Sequence, residues 1–249
     1  MGSAHEAARN LAFISYTGAG KTSLVEALLY TAGVIPSMGA VTSGNTTCDF
    51  EPEEMQRQFS ISSAVAHFSW KGTTFNVVDT PGGLNFLNEA QMGLQAVDGV
   101  ILVLSASMGL RSELEKMWQP ISALELPCLI FVNELDKERA AVSPVVGECE
   151  RALGIHTVPV TIPIGSEAQL QGVADLVRQR ALRSGPDSPK VHEDDLPVDL
   201  ASAVAAARKK LVEGVAETDD ALVEKYLADG ELPEEDVRRG LRAGSLSRT

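Results

Sequence analysis

The segment LAFISYTGAGKTSLVEALLY, residues 11–30, leaves this chain few folds to choose from. LAFIS (11–15) is a short apolar run of strand type. TSLVEALLYTAG (22–33) repeats apolar residues at helical spacing, Leu24 with Leu28 and Val25 with Leu29, and stops at Gly33. Around their junction stand Ser15, Tyr16, Thr17, Gly18, Ala19, Gly20, Lys21 and Thr22. A glycine-bearing loop between a strand and a helix turns backbone N–H groups and the positive helix end toward one point, where an anion sits. Lys21 is placed to reach β- and γ-phosphates, and Thr22 to ligate Mg²⁺. The plain alternative is a turn before an ordinary helix, with Lys21 in water. The strand before it and the helix after it argue for the phosphate loop.

The same alternation continues. SISSAVAHFSW (60–70) and TTFNVVD (73–79) read as a hairpin turning at Lys71-Gly72. GVILVLSA (99–106) and CLIFVNE (128–134) are near-continuous apolar runs, as strands buried on both faces of a parallel sheet require. Helices are expected over 86–98, over 112–125 with Pro120 kinking or splitting it, and from the Ser143-Pro144 start to Gly154. Residues 36–58 show no period and read as a mobile loop. The fold class expected is α/β: a P-loop NTPase with a doubly wound, mostly parallel sheet and one antiparallel hairpin. A smaller α+β subdomain follows, with a strand at 158–164, a polar linker at 183–197 and three helices.

Two further elements suit nucleotide chemistry. Asp79 ends the strand TFNVV, where a carboxylate can hold Mg²⁺ through a water. Gly82, in Asp79-Thr80-Pro81-Gly82-Gly83, can offer a backbone N–H to a γ-phosphate, which makes the segment a sensor of nucleotide state. NELD (133–136) ends the strand CLIFV, at the sheet edge where such folds bind ligands. There the Asp136 carboxylate is suited to accept from guanine N1–H and its exocyclic amine, donors that adenine lacks. Taken singly, each stretch is an ordinary turn or polar strand end; their order along the chain argues for function.

Composition excludes several classes. The formal net charge is −13, which disfavours unaided binding to a phosphate backbone, so no DNA partner is expected. No apolar stretch is long enough to cross a bilayer, and MGSAHEAARN lacks a signal pattern, so no membrane partner is expected. Cys48, Cys128 and Cys149 have no metal-ligand or disulfide spacing and suit a reducing cytoplasm.

With these motifs in place, the chain resembles translational GTPases of the elongation factor G family. RNLAFISYTGAGKTSLVEALLY is similar to the family's RNIGIxAHIDAGKTT, EPEEMQRQFSISSA to MxxERERGITITAA, FNVVDTPGG to DTPGH and FVNELDK to NKMDK. VPVTIPIGSE and VAETDDALVEKYLADGEL are similar to the subdomain inserted late in that family's G domain. The resemblance implies a GTP-binding domain over 1–155 and an inserted subdomain over 156–249, with the chain ending before the return to the G domain. It implies GTP or GDP and Mg²⁺ as ligands and the ribosome as partner, and we expect a cytoplasmic monomer. It assigns Ser15 to Thr22 to the phosphates, and Thr22, Ser60 and Asp79 to Mg²⁺. It assigns Asp79 to Gly83 to the γ-phosphate sensor, and Asn133, Glu134, Leu135 and Asp136 to the base.

The departures point to a divergent paralogue. Gly18 stands where the family has an aspartate, Arg57-Gln58-Phe59 where it has Arg-Gly-Ile, and Glu134 where a lysine covers the nucleotide. Gly83 stands where a histidine positions the attacking water, so the catalytic residue is open and Lys21 supplies phosphate-neutralising charge. Gln56 or Gln58 is a candidate replacement for the water, whereas His67 reads as a mid-strand structural residue. The leading expectation is a GTP/Mg²⁺ switch domain with slow or partner-dependent hydrolysis. A non-hydrolysing guanine-nucleotide interaction module is the alternative. A P-loop kinase or ATPase is a third reading, against which Asn133 and Asp136 argue.

Overall fold

The computed structural model describes residues 7–185 and 190–247. The chain divides into two compact units. One runs to Glu134 and includes Val142–Leu153; the other holds Leu135–Ala141 and the residues from Gly154 onward.

The first unit is a five-stranded sheet in the order β2-β3-β1-β4-β5. Its strands are β1 (Ala7–Ile14), β2 (Ala64–Trp70), β3 (Thr73–Asp79), β4 (Gly99–Ser105) and β5 (Cys128–Asn133). All neighbours run parallel except the β2–β3 hairpin. That hairpin turns on Lys71 (φ 49°) and Gly72 (φ 75°), the two positive-φ positions a tight primed turn needs. Sequence and burial agree: AVAHFSW alternates buried and exposed, whereas GVILVLS is buried almost throughout. The parallel strands are interleaved with α1 (Lys21–Thr31), α3 (Leu87–Leu94), α4 (Glu113–Ala123) and α5 (Val142–Leu153), and a short α2 (Pro52–Arg57) lies in the loop before β2.

Three expectations are corrected here. The segment 36–58 is organised: it carries a 3₁₀ turn at Val41–Ser43 and α2. Two buried glutamates hold it. Glu26 of α1 accepts from the Gly39 and Thr47 amides at 3.0 and 2.9 Å, and Glu54 accepts from Ile61 and Ser62 at 2.8 and 3.0 Å. Pro120 does not split α4. It falls eight residues into a helix that runs unbroken to Ala123, and its missing N–H leaves only the Lys116 carbonyl without an intrahelical donor. Helix α5 starts at Val142, one residue ahead of the expected cap, with Ser143 and Pro144 inside the first turn; Gly154 follows its end with φ 65°.

The second unit pairs four antiparallel strands in the order β6-β7-β8-β9: β6 (Thr161–Ile164), β7 (Gly172–Asp175), β8 (Arg180–Ser184) and β9 (Val191–Asp194). The last three are not visible in the sequence pattern. The expected linker at 183–197 instead contains the end of β8 and all of β9, residues 186–189 lying outside the described residues. The three expected helices are present as α6 (Ala201–Ala216), α7 (Asp220–Asp229) and α8 (Glu234–Ser247). Their apolar faces share a core with the sheet through Leu176, Leu211, Leu222, Leu232 and Val237. A buried guanidinium sits in that core: Arg208 donates to the carbonyls of Leu176 (2.6 Å) and Leu232 (2.8 Å) and pairs with Glu231.

Candidate functional site

β1 delivers the phosphate loop and α1 receives it. Gly18 and Gly20 both adopt φ 88°, a left-handed conformation that a residue with Cβ takes up only at a cost. A Cβ on Gly20 would also collide with the Asn133 amide. Helix α1 opens directly after Gly20 without a side-chain cap, so its first amides are left for a ligand. The loop backbone is fixed from outside. Asn133 Nδ2 donates to Ala19 O at 3.0 Å, so Asn133 pins the phosphate loop. Tyr16, expected among the ligand residues, has its side chain buried. Its hydroxyl donates to Gly109 O (2.8 Å) and accepts from Ser105 N (3.0 Å), leaving only its backbone for the loop. Ser15 is likewise wholly buried.

Lys21 is 6% exposed, its ammonium donating to the carbonyls of Ser15 (3.1 Å) and Tyr16 (3.2 Å). Burial pulls its pKa down to about 8, opposed by the Asp79 and Asp49 carboxylates. Asp79, at the end of β3, is 1% exposed, and neither of its oxygens has a hydrogen-bond partner. Burial pushes it up to about 6, against the pull of Lys21. Thr80 donates to Phe13 O at 2.7 Å and, with buried Pro81, forms the wall beneath. Gly82 lies against the loop so closely that a Cβ there would come within 2.6 Å of Lys21 Nζ, Thr17 N and Tyr16 C.

The organised loop 36–58 closes the other side. Thr22 Oγ1 and Ser60 Oγ are 3.2 Å apart, and Ser60 donates to Asp49 Oδ1 at 2.7 Å. The second oxygen of buried Asp49 is unpartnered, and burial raises this acid also. Two hydroxyls and two carboxylates with unsatisfied oxygens form a hard, all-oxygen donor set of the kind Mg²⁺ takes. Among the described residues no cluster of three His, Cys, Asp or Glu offers a softer metal a place. Thr17, Lys21, Thr22, Asp49, Gln58, Ser60, Gly82 and Glu134 are among the residues lining a cavity of about 230 Å³. Glu134 has φ 60° and accepts hydrogen bonds from Ser105 and Ser107.

The comparisons with known proteins fall where this geometry points. The family model described as the elongation factor Tu GTP binding domain matches residues 6–231. The chain belongs to that family. It is 35% identical to elongation factor G of Thermotoga sp. (strain RQ2) and to that of Thermotoga maritima, over 239 residues in each case. These matches take in 96% of this chain and 34% of the relatives, so the chain spans about a third of their length. A crystal structure of a protein from Thermus thermophilus superposes with a TM-score of 0.86 at 28% identity, covering 96% of this chain and 36% of that one. The chain is thus a GTP-binding domain of elongation-factor type.

Leu135 and Asp136 belong to the second unit. There the Leu135 carbonyl accepts from Glu167 N (3.0 Å), and the Asp136 carboxylate is exposed, 4.0 Å from Lys137. Gln58, the candidate water-holding glutamine, gives its amide to Thr42 O at 3.0 Å, and Gln56 is exposed. His67 is exposed on β2. Asp49 and Glu54 were missed by sequence reasoning. Their only signal was two acids among polar residues, and their role rests on contacts with Ser60 and with the residues just after it.

Proposed function

We propose that this chain is a GTP- and Mg²⁺-dependent switch domain of elongation factor G type, which hydrolyses GTP slowly by itself and faster with a partner. By likeness to elongation factor G that partner is the ribosome, met in the cytoplasm. The observation that carries the reading is the Thr22–Ser60 contact, together with the two unpartnered oxygens of buried Asp79 and the one of Asp49. It joins the phosphate helix to the loop before β2, where a cation bound to a nucleotide would touch both. Thr22 and Ser60 would hold Mg²⁺ directly, with Asp79 and Asp49 behind them. The cation, when bound, neutralises charge on the phosphate oxygens. Lys21 and the Gly82 amide face the terminal phosphate, so loss of that phosphate releases both segments. Gly83 brings no side chain to orient water. Losing such a group costs on the order of 3 kcal/mol, a hundredfold or more in rate.

Fluorescent GDP, GTP and ATP titrations with and without Mg²⁺, followed by single-turnover hydrolysis of radiolabelled GTP, test the reading. We expect guanine selectivity, Mg²⁺-dependent GTP binding and slow turnover that rises with ribosomes or in Gly83→His. Equal binding of ATP and GTP removes the switch reading. Tight GTP binding with no turnover under any of these conditions favours the non-hydrolysing module.

A further inference from the structure

The side chain that Gly83 lacks leaves one neighbour facing its place. A Cβ built on Gly83 lies 3.9 Å from Thr17 Oγ1 on one side and 3.2 Å from the Phe86 ring on the other. Phe86 is in turn backed by Phe59, with ring centroids 6.5 Å apart. The atoms nearest that Cβ are thus aromatic carbon and the Thr17 hydroxyl. Thr17 is exposed and lines the same cavity as Lys21 and Thr22. Among the other polar side chains there, Lys21 bonds two loop carbonyls, Thr22 meets Ser60, Ser60 meets Asp49 and Gln58 meets Thr42 O, while one oxygen of Asp49 is unpartnered. The Thr17 hydroxyl makes no hydrogen bond among the described residues.

We infer that Thr17 holds the attacking water for GTP hydrolysis in this chain, in place of the side chain missing at Gly83. The inference rests on the GTPase reading above. The hydroxyl accepts a hydrogen bond from the water and so aims the water's lone pair; it neither gains nor loses a proton. The water oxygen bonds to the γ-phosphorus and the bond from that phosphorus to the β,γ-bridging oxygen breaks. Its electron pair leaves with GDP. One water proton stays on the new phosphate oxygen and the other passes to a phosphate oxygen or to solvent. A single neutral hydrogen bond is a weak guide, which is consistent with turnover that is slow but above the uncatalysed rate.

The test is single-turnover hydrolysis of radiolabelled GTP by the full chain, the Thr17→Val and Thr17→Ser variants and, against a folding failure of the first, Thr17→Ala. Fluorescent GDP and GTP affinities are measured alongside. Valine keeps the branched shape and removes the hydroxyl; serine keeps the hydroxyl. We expect hydrolysis to fall about tenfold in Thr17→Val and Thr17→Ala, the loss of one hydrogen bond, with both affinities within about twofold of the unmutated protein. Thr17→Ser should retain the rate. Unchanged hydrolysis in Thr17→Val overturns the inference and leaves the switch reading standing. So does a rate loss matched by an equal loss of GTP affinity, which marks a merely structural threonine. Turnover by the unmutated protein no faster than GTP in buffer also overturns it. Failure of the unmutated protein to bind GTP removes both readings.

Discussion

Asp79→Asn should make the nucleotide-free protein more stable while spoiling its function. The unmutated carboxylate is raised from the ordinary value of 3.8 to about 6, mainly by burial. At 1.36 kcal/mol per pKa unit, that is ~3 kcal/mol of native-state preference for the neutral acid. The pull of Lys21 is already contained in this value. Above pH 6 the native chain carries the charge at that cost. Asparagine removes the charge at almost constant shape but buries an amide, which costs ~1–2 kcal/mol where hydrogen bonds go unmade. The expected net gain is ~1 kcal/mol or more, about 2–4 °C in Tm for a chain of this size. The pH dependence is specific. The native chain keeps this proton up to about pH 6, whereas the unfolded chain releases it near 3.8. The native state therefore binds more protons in that window, and this acid's contribution to stability declines as pH rises through it. The advantage of Asp79→Asn should accordingly be present at pH 7.5, shrink below pH 6 and vanish near pH 4. Thermal and urea unfolding in EDTA at these pH values measure it, with Mg²⁺-dependent GTP binding as the opposite readout, which should weaken. A variant less stable than the unmutated protein at pH 7.5, or a gain that persists at pH 4, refutes the reasoning.

Lys21→Ala should abolish measurable binding of both GDP and GTP, read by fluorescent-nucleotide titration, because the ammonium faces phosphates in either state. Ser60→Ala should weaken GTP binding in Mg²⁺ and spare GDP, since Ser60 meets Thr22 across the cation site; equal losses for both nucleotides count against the switch assignment. Gly82→Ala should cost roughly 1–3 kcal/mol in urea unfolding, because its Cβ meets phosphate-loop backbone at 2.6 Å as well as Lys21.

Much of the first unit was legible because its signals are local. Apolar runs gave the parallel strands, AVAHFSW gave its alternation, and Gly20-Lys21-Thr22 after LAFI gave the loop. The segment 36–58 was not legible. What orders it is Glu26 and Glu54 reaching backbone amides between seven and twenty-one residues away, and such bonds leave no period. Strands β7 to β9 were missed for a related reason. GVAD, RALRS and VHED are short and polar, and the ion pairs of Arg178 with Glu193 and Arg180 with Asp195 at their ends leave no sequence period. At the site, Asn133 and Tyr16 were found as positions, but what their side chains do was not. Asn133 turns to hold Ala19 of the phosphate loop, whereas the Tyr16 hydroxyl bonds the backbone of Ser105 and Gly109.

Arg208 sets the order in which the second unit can be completed during synthesis. Its partners Leu176 and Leu232 lie 32 residues before it and 24 after it. When Arg208 leaves the ribosomal tunnel the sheet side of its socket has been made and the helical side has not. A guanidinium cannot be dehydrated at half a socket without a penalty of several kcal/mol. The sheet and α6 must therefore stay loosely associated and wet until Glu231 and Leu232 emerge. A nascent chain with Arg208 outside the tunnel and Leu232 still inside it should be cut readily by protease, and one from which α8 has also emerged should be resistant.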